Sequence, residues 1–188
     1  MINYLKDIDV RLFLYLNGKH NTFFDVIMYW ITNKYFWIPF YALILLLIIK
    51  EFKKKAILIV FSVALLIALS DQGSVLIKNR VHRYRPCYNL NIQEQVHVID
   101  GCGGQFGFVS SHAANSFALA MFLSILFKER VKKFTPVIYA WAILVSFSRI
   151  YSGVHYPLDI IGGILLGDVL GYTISRAYFY VDKKMYHE

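Results

Sequence analysis

The chain has 188 residues, 57% hydrophobic and only 17% charged, and its 20 Lys and Arg outweigh 12 Asp and Glu to give a formal net charge of +8. The apolar excess excludes a disordered chain and argues against a soluble monomer, while two cysteines are too few for a disulfide scaffold or a Cys-rich zinc site. The basic balance points to a nucleic acid, a membrane surface or an anionic substrate, and the position of the charges decides among these.

In chain order, residues 1–34 hold no clean span, because Asp7, Asp9 and Arg11 interrupt it. The stretch IDVRLFLYLNG reads as an amphipathic interfacial helix, and NTFFDVIMYWIT as a second short interfacial piece or the start of the first span. No cationic n-region with a small-residue cleavage site is visible, so no removable signal peptide is expected. Four windows of 15 residues then follow without a single charge: Tyr35–Ile49, Ala56–Ser70, Ala113–Phe127 and Phe134–Ser148. Each falls short of the ~18 apolar residues that define a span on their own. Their apolar residues fill every face, however, as in AILIVFSVALLIALS, where a soluble helix needs a polar stripe. With flanking residues each reaches about 20, close to the ~30 Å hydrocarbon core. A fifth span, about Tyr156–Val181, is apolar except for Asp159, Asp168 and Arg176. The expectation is an all-α polytopic transmembrane helix bundle of about five spans. An N-terminal interfacial segment covers 1–34, a membrane-embedded domain 35–181 and a tail 182–188.

The connections alternate in character. Lys50, Lys53, Lys54 and Lys55 make one basic turn, Lys128, Arg130, Lys132 and Lys133 the next, and Lys183 and Lys184 follow the last span. The positive-inside rule places all three in the cytoplasm. The segment Lys78–Ser111 and the turn Arg149–His155 then share the outer face. Nucleic acid is the weakest partner, because membrane spans separate the basic clusters.

Three elements on that outer face carry chemistry. The first, KNRVHRYRP from Lys78 to Pro86, reads either as snorkelling anchors with a basic loop or as an anion site, since cations this dense repel one another at the low-dielectric edge of a membrane. Phosphate is the anion that Arg pairs with bidentately and Lys neutralises as a point charge. The second, FVSSHAAN from Phe108 to Asn115, lets Ser110 or Ser111 cap a helix whose first N–H groups and dipole favour an anion beside His112. An ordinary cap followed by a solvated histidine is the plainer reading of this stretch. In the third, SRIYSGVHYPLDI, His155 and Asp159 are four residues apart, so on one helix the carboxylate can hold one ring nitrogen and leave the other free to attack. Pro157 between them sets the helix start at about His155 to Pro157.

Together these elements resemble the type 2 phosphatidic acid phosphatase superfamily, which includes lipid phosphate phosphatases and vanadium haloperoxidases. Lys78, Arg85 and Pro86 match its first motif, and Ser148, Arg149, His155 and Asp159 its third. The second motif normally reads Pro-Ser-Gly-His and here is Val109, Ser110, Ser111, His112. The resemblance implies an integral membrane phosphatase in a bacterial cytoplasmic (inner) membrane, its active site facing the periplasm, acting on a phosphorylated lipid without a cofactor or metal. His155 would attack phosphorus to form a phosphohistidine, Asp159 would stabilise the imidazolium, and His112 would protonate the leaving oxygen and then activate water. Lys78, Arg85 and Arg149, with Ser110, Ser111 and nearby N–H groups, would hold the phosphate oxygens. Polyprenyl (undecaprenyl) diphosphate is the first substrate expected, with lipid A or phosphatidylglycerol phosphate as alternatives. Vanadate-dependent oxidation and a non-catalytic anionic-lipid binder stand as competing classes.

Three further features have readings of their own. Cys87 and Cys102 bracket the loop after the first motif, where either a disulfide or two free thiols fit. Asp71 and Asp168 lie within spans and should face the bundle interior, Asp71 as a partner to a site cation seven residues on, at Lys78. Trp30, Trp37 and Trp141 are expected in interfacial belts and helix packing.

Overall fold

The structure, a computed structural model, describes residues 2–186. Seven α-helices follow in order: α1 (Ile2–Asn17), α2 (Thr22–Thr32), α3 (Ile38–Phe52), α4 (Ala56–Val81), α5 (Ser111–Phe127), α6 (Phe134–Tyr151) and α7 (Pro157–Tyr186). The five apolar windows fall in α3 to α7. Three helical stretches are long and apolar enough to cross a membrane, namely Lys34–Val81, which holds α3 and α4, then Phe134–Tyr151 and Pro157–Met185. The α5 helix, at 17 residues, is a shorter apolar helix, as is α2.

Local sequence explains the helix ends. Asn21 starts α2 by accepting the Phe24 N–H at 3.0 Å, and Ser110 starts α5 by reaching the Ala113 N–H at 3.5 Å. Pro157 opens α7, where a missing N–H costs nothing. His82 ends α4 in the left-handed region, with φ of 51°.

The α5 helix is the centre of the bundle, buried on nearly every face from Ala113 to Phe127, which explains an apolar sequence without a polar stripe. Its tightest neighbour is α7. An added Cβ at Gly163 would lie 2.8 Å from the Ala113 Cβ, one at Gly167 would lie 2.8 Å from the Ala118 N, and one at Gly171 would lie 2.8 Å from the Met121 Cβ. Glycine at every fourth position therefore lets two backbones touch. The register rises together along both chains, so α5 and α7 run parallel and their N-termini share one end. Lys78 of α4 and Arg149 of α6 end there too.

At the opposite end, Lys55 pairs with Asp182 at 2.9 Å, and Arg130 reaches the Glu51 carbonyl at 3.2 Å. The basic turns and the three chemical elements thus occupy opposite ends of the bundle.

The long connection from α4 to α5 is organised over the shared N-terminal end. Tyr84 and Phe106 form an antiparallel bridge, flanked by Arg85 N to Gln105 O at 3.1 Å and Gly107 N to Arg83 O at 2.8 Å. Cys87 and Cys102 are paired as a disulfide across this loop, with Cα atoms 6.2 Å apart. Closing a loop of 15 residues contributes about 3 kcal/mol in the chain-entropy model.

The N-terminal helix is not an isolated surface element. Phe13 is fully buried, and the Asn17 side chain donates to the carbonyls of Tyr151 at 2.8 Å and His97 at 2.9 Å. The face of α1 carrying Asp9, Phe13 and Asn17 is packed inward, all three residues being buried.

The glycine contact predicts that Gly167→Val forces α5 and α7 apart, costing roughly 3 kcal/mol or more and lowering the thermal midpoint in detergent together with function. Gly73→Ala is the control, because its new Cβ meets only Leu166 at 3.9 Å, and its midpoint should stay or rise slightly.

Candidate active site

Lys78, Arg85, Ser110, Ser111, His112, Arg149, His155 and Asp159 converge where α4, α5, α6 and α7 share an end. Lys78 donates to the Ser111 hydroxyl at 2.5 Å, and Ser111 Oγ lies 2.6 Å from Ser74 Oγ. Ser111 thus fixes the lysine with its side chain. It is the first residue of α5 and does not have positive φ, so this position does not require glycine. Ser110 is fully buried. Its N–H donates to the Asp159 carbonyl at 3.0 Å and its Oγ accepts from Ala113 N, which leaves the hydroxyl proton as the group it can offer an anion. The Ser111 and His112 N–H groups lie in the first turn of α5, where no intrahelical acceptor exists.

Arg85 is aimed by its own loop, donating to the carbonyls of Cys102 at 2.7 Å and Phe106 at 3.2 Å. Arg149 donates to Thr32 Oγ1 at the end of α2, and its buried Nε finds no partner among the described residues. His112 lies within electrostatic reach of Arg149, His155, Arg85 and Lys78.

His155 is 2% exposed and Asp159 is fully buried. His155 Nδ1 faces Asp159 Oδ2 at 3.4 Å, so the pairing expected from the four-residue spacing forms, but loosely. The shorter bonds to the carboxylate come from elsewhere: Arg83 donates to Oδ1 at 2.8 Å and the Tyr156 N–H to Oδ2 at 3.0 Å. Burial, with the charges of Arg85, Arg149 and Lys78, holds His155 well below the ordinary 6.5. The imidazole is therefore neutral, and with Nδ1 turned to Asp159 its other nitrogen carries the lone pair.

A cavity of about 570 Å³ opens from this end, within the range of small-molecule sites. Ser111, His112, Asp71 and Asn115 are among its polar lining residues, and Ile44, Ile48, Val63, Leu119 and Leu123 among its apolar ones, in a wall built from α2 to α6. Asp71 faces this cavity as expected, but forms no ion pair with Lys78 among the described residues. Asp168 is half-buried as expected, with Oδ1 unpartnered among those residues. Trp37 and Trp141 show the helix packing expected of them. Their rings pack 5.9 Å apart and form part of the cavity wall.

A family model described as the PAP2 superfamily matches residues 55–183. The chain belongs to the PAP2 superfamily. A curated PAP2 relative, the lipid A 4'-phosphatase of Bacteroides thetaiotaomicron, is 42% identical over 176 residues, covering 92% of this chain and 77% of the relative. The undecaprenyl-diphosphatase of Sulfolobus acidocaldarius is 30% identical over 167 residues, covering 87% and 75%. The crystal structure of a transmembrane PAP2 type phosphatidylglycerolphosphate phosphatase from Bacillus subtilis superposes with a TM-score of 0.71 at 21% identity, over 97% of this chain and 88% of that one. That last likeness shows a shared fold.

Gly107, Arg83 and Asp9 escape the sequence motifs. Gly107 touches the carboxylate: a Cβ there would lie 2.9 Å from Asp159 Oδ2 and 3.5 Å from His155 Nδ1. Since Arg83 and Tyr156 pin Asp159, Gly107→Ala should displace the histidine. It is expected to cost about 1–3 kcal/mol in a denaturation series and to disturb His155, whereas Gly104→Ala, with nothing within 4 Å of the new Cβ, should leave stability within about 0.5 kcal/mol.

Proposed function

We propose that this membrane lipid phosphatase of the PAP2 superfamily removes a phosphate monoester from a lipid A-type headgroup at the outer leaflet, through a phosphohistidine on His155. The observation that carries the reading is one cavity lined both by His112 and Ser111 and by many apolar side chains, among them Ile44, Ile48, Leu119 and Leu123. A soluble phosphate ester has no use for such a wall, whereas a phosphorylated lipid needs both halves. The 42% identity to a lipid A 4'-phosphatase supports this headgroup over polyprenyl diphosphate, which the 30% relative keeps as the second choice.

In the proposed reaction the Nε2 lone pair of neutral His155 forms a bond to phosphorus while the bond to the lipid oxygen breaks, and His112 gives that oxygen its proton. Water then attacks the phosphohistidine, delivering a proton to His112 and freeing His155 and inorganic phosphate. Charge on the equatorial oxygens is met by Lys78, Arg85 and Arg149, by the Ser110 hydroxyl and by the free N–H groups of the first turn of α5. These cations do the work that a metal would otherwise do, so EDTA should leave the rate unchanged. The positive-inside arrangement supports a multi-pass protein of a bacterial inner membrane, its site facing the periplasm.

Phosphate release from a panel of lipid phosphates and diphosphates in detergent tests the reading. Lipid A should lead in kcat/KM, and His155→Ala should lose roughly a thousandfold or more. Near-normal release by that variant would overturn the mechanism, and a lead for polyprenyl diphosphate would overturn the choice of headgroup.

The pH dependence has a definite sign. His155 reacts only when neutral, and its depressed value places the loss of its nucleophilic form well below pH 6.5. A kcat/KM profile on the best lipid phosphate should therefore show no loss from nucleophile protonation between neutrality and pH 6.5. An acidic limb centred at 6.5 or above would contradict the burial argument.

A further inference from the structure

Arg83 sits inside the first motif without being one of its matched residues, and it joins two buried carboxylates. Its Nη1 donates to Asp159 Oδ1 at 2.8 Å and its Nη2 to Asp9 Oδ2 at 2.6 Å. Both carboxylates are buried, Asp159 fully and Asp9 with 3% exposure. The guanidinium also lies 4.2 Å from the centre of the Tyr156 ring. The other oxygen of Asp9 accepts the Leu158 N–H at 2.9 Å. That N–H is a first-turn donor of α7 with no acceptor in its own helix. Asp9 therefore caps, from another helix, the turn that carries Asp159.

We propose that Asp9 and Arg83 are positioning residues that set Asp159, and through it His155, and that α1 is thereby a working part of the active site. The proposal rests on the phosphatase reading for its kinetic consequence but not for its geometry. The α1 helix lies outside the stretch 55–183 matched by the family model, and nothing in the three motifs requires an acid at position 9. Two carboxylates flanking one guanidinium exceed what charge neutralisation of Asp159 alone would need. The fork fixes direction, because planar N–H pairs bind two acceptors at set angles where an ammonium would not. Asp159 then keeps one edge toward His155 Nδ1 and the Tyr156 N–H, while Arg83 and Asp9 prevent it from turning toward the neighbouring cations Arg85 and Lys78.

The test uses full-length protein in detergent and compares wild type with Asp9→Asn, Arg83→Lys and His155→Ala. Arg83→Lys keeps a cation at the site and guards against loss of fold in Asp9→Asn. Three quantities are read: kcat on the best lipid phosphate, competitive inhibition by inorganic phosphate, and the ring ¹⁵N shifts of His155, assigned by their absence from His155→Ala. A positioning role predicts that kcat falls roughly 10- to 100-fold in both tether variants, that phosphate inhibition changes by less than about threefold because Lys78, Arg85 and Arg149 remain, and that the His155 ring shifts move. Unchanged kcat and unchanged shifts in a folded Arg83→Lys protein would overturn the proposal. So would equal losses in kcat and phosphate affinity, which would mark a structural collapse of the site. If wild type releases no phosphate from any lipid, the phosphatase reading fails, while the ring shifts alone still decide whether the tether sets His155.

Discussion

The arrangement depends on how closely α5 can lie against α7. Three glycines at four-residue spacing on α7 remove the side chains that would hold the backbones apart, and the parallel register puts two helix N-termini side by side. One carries the Ser110 cap and His112; His155 stands just before the other, and Asp159 lies in its first turn. Both helices point the positive ends of their dipoles at the same place, and α5 adds the free N–H groups of its first turn, whereas in α7 the Leu158 N–H is already taken by Asp9. His112 and His155, 43 residues apart in the sequence, are therefore brought to one place by the two helix ends.

Around that contact the protein assembles more cations than it can neutralise. Lys78, Arg85 and Arg149 converge on His155, while the nearest carboxylate, Asp159, is already bonded by Arg83. In a medium of low dielectric such crowding is costly unless an anion completes it. The formal charge of +8 thus has two separate meanings. One population lies at the far end of the bundle with Lys55 and Arg130, and the other forms a site short of negative charge. The apolar cavity beside that site connects the two compositional excesses, charge and hydrophobicity, in one binding surface.

Much of this was legible in the sequence because it depends on local rules. Four charge-free windows gave the helices α3 to α6 and a fifth, nearly apolar span gave α7, the Ser110–Ser111 pair marked the start of α5, and Pro157 marked the start of α7. The motif residues came together because their spacing reflects helix ends at one face. What was not legible depends on surfaces that meet only in three dimensions. Arg83 looked like one more basic residue, and Asp9 like an interruption of an early span. A signal was present in α1, since Asp9, Phe13 and Asn17 recur at four-residue spacing and so share a face, with polar residues on the side of a phenylalanine. The glycines of α7 were a similar missed signal, at positions 163, 167 and 171. Trp37 and Trp141 read as belt and packing residues, with no sign of the cavity they wall, and sequence alone could not choose between a disulfide and free thiols at Cys87 and Cys102.

The central claim is that phosphoryl transfer passes through His155 rather than directly to water, and stereochemistry at phosphorus tests it most directly. A lipid phosphate made chiral with oxygen isotopes and sulfur would be turned over, with the phosphoryl group passed to an acceptor alcohol so that its configuration can be read. Two in-line displacements, onto His155 and off again, predict retention. Inversion would mean a single displacement and would contradict the account.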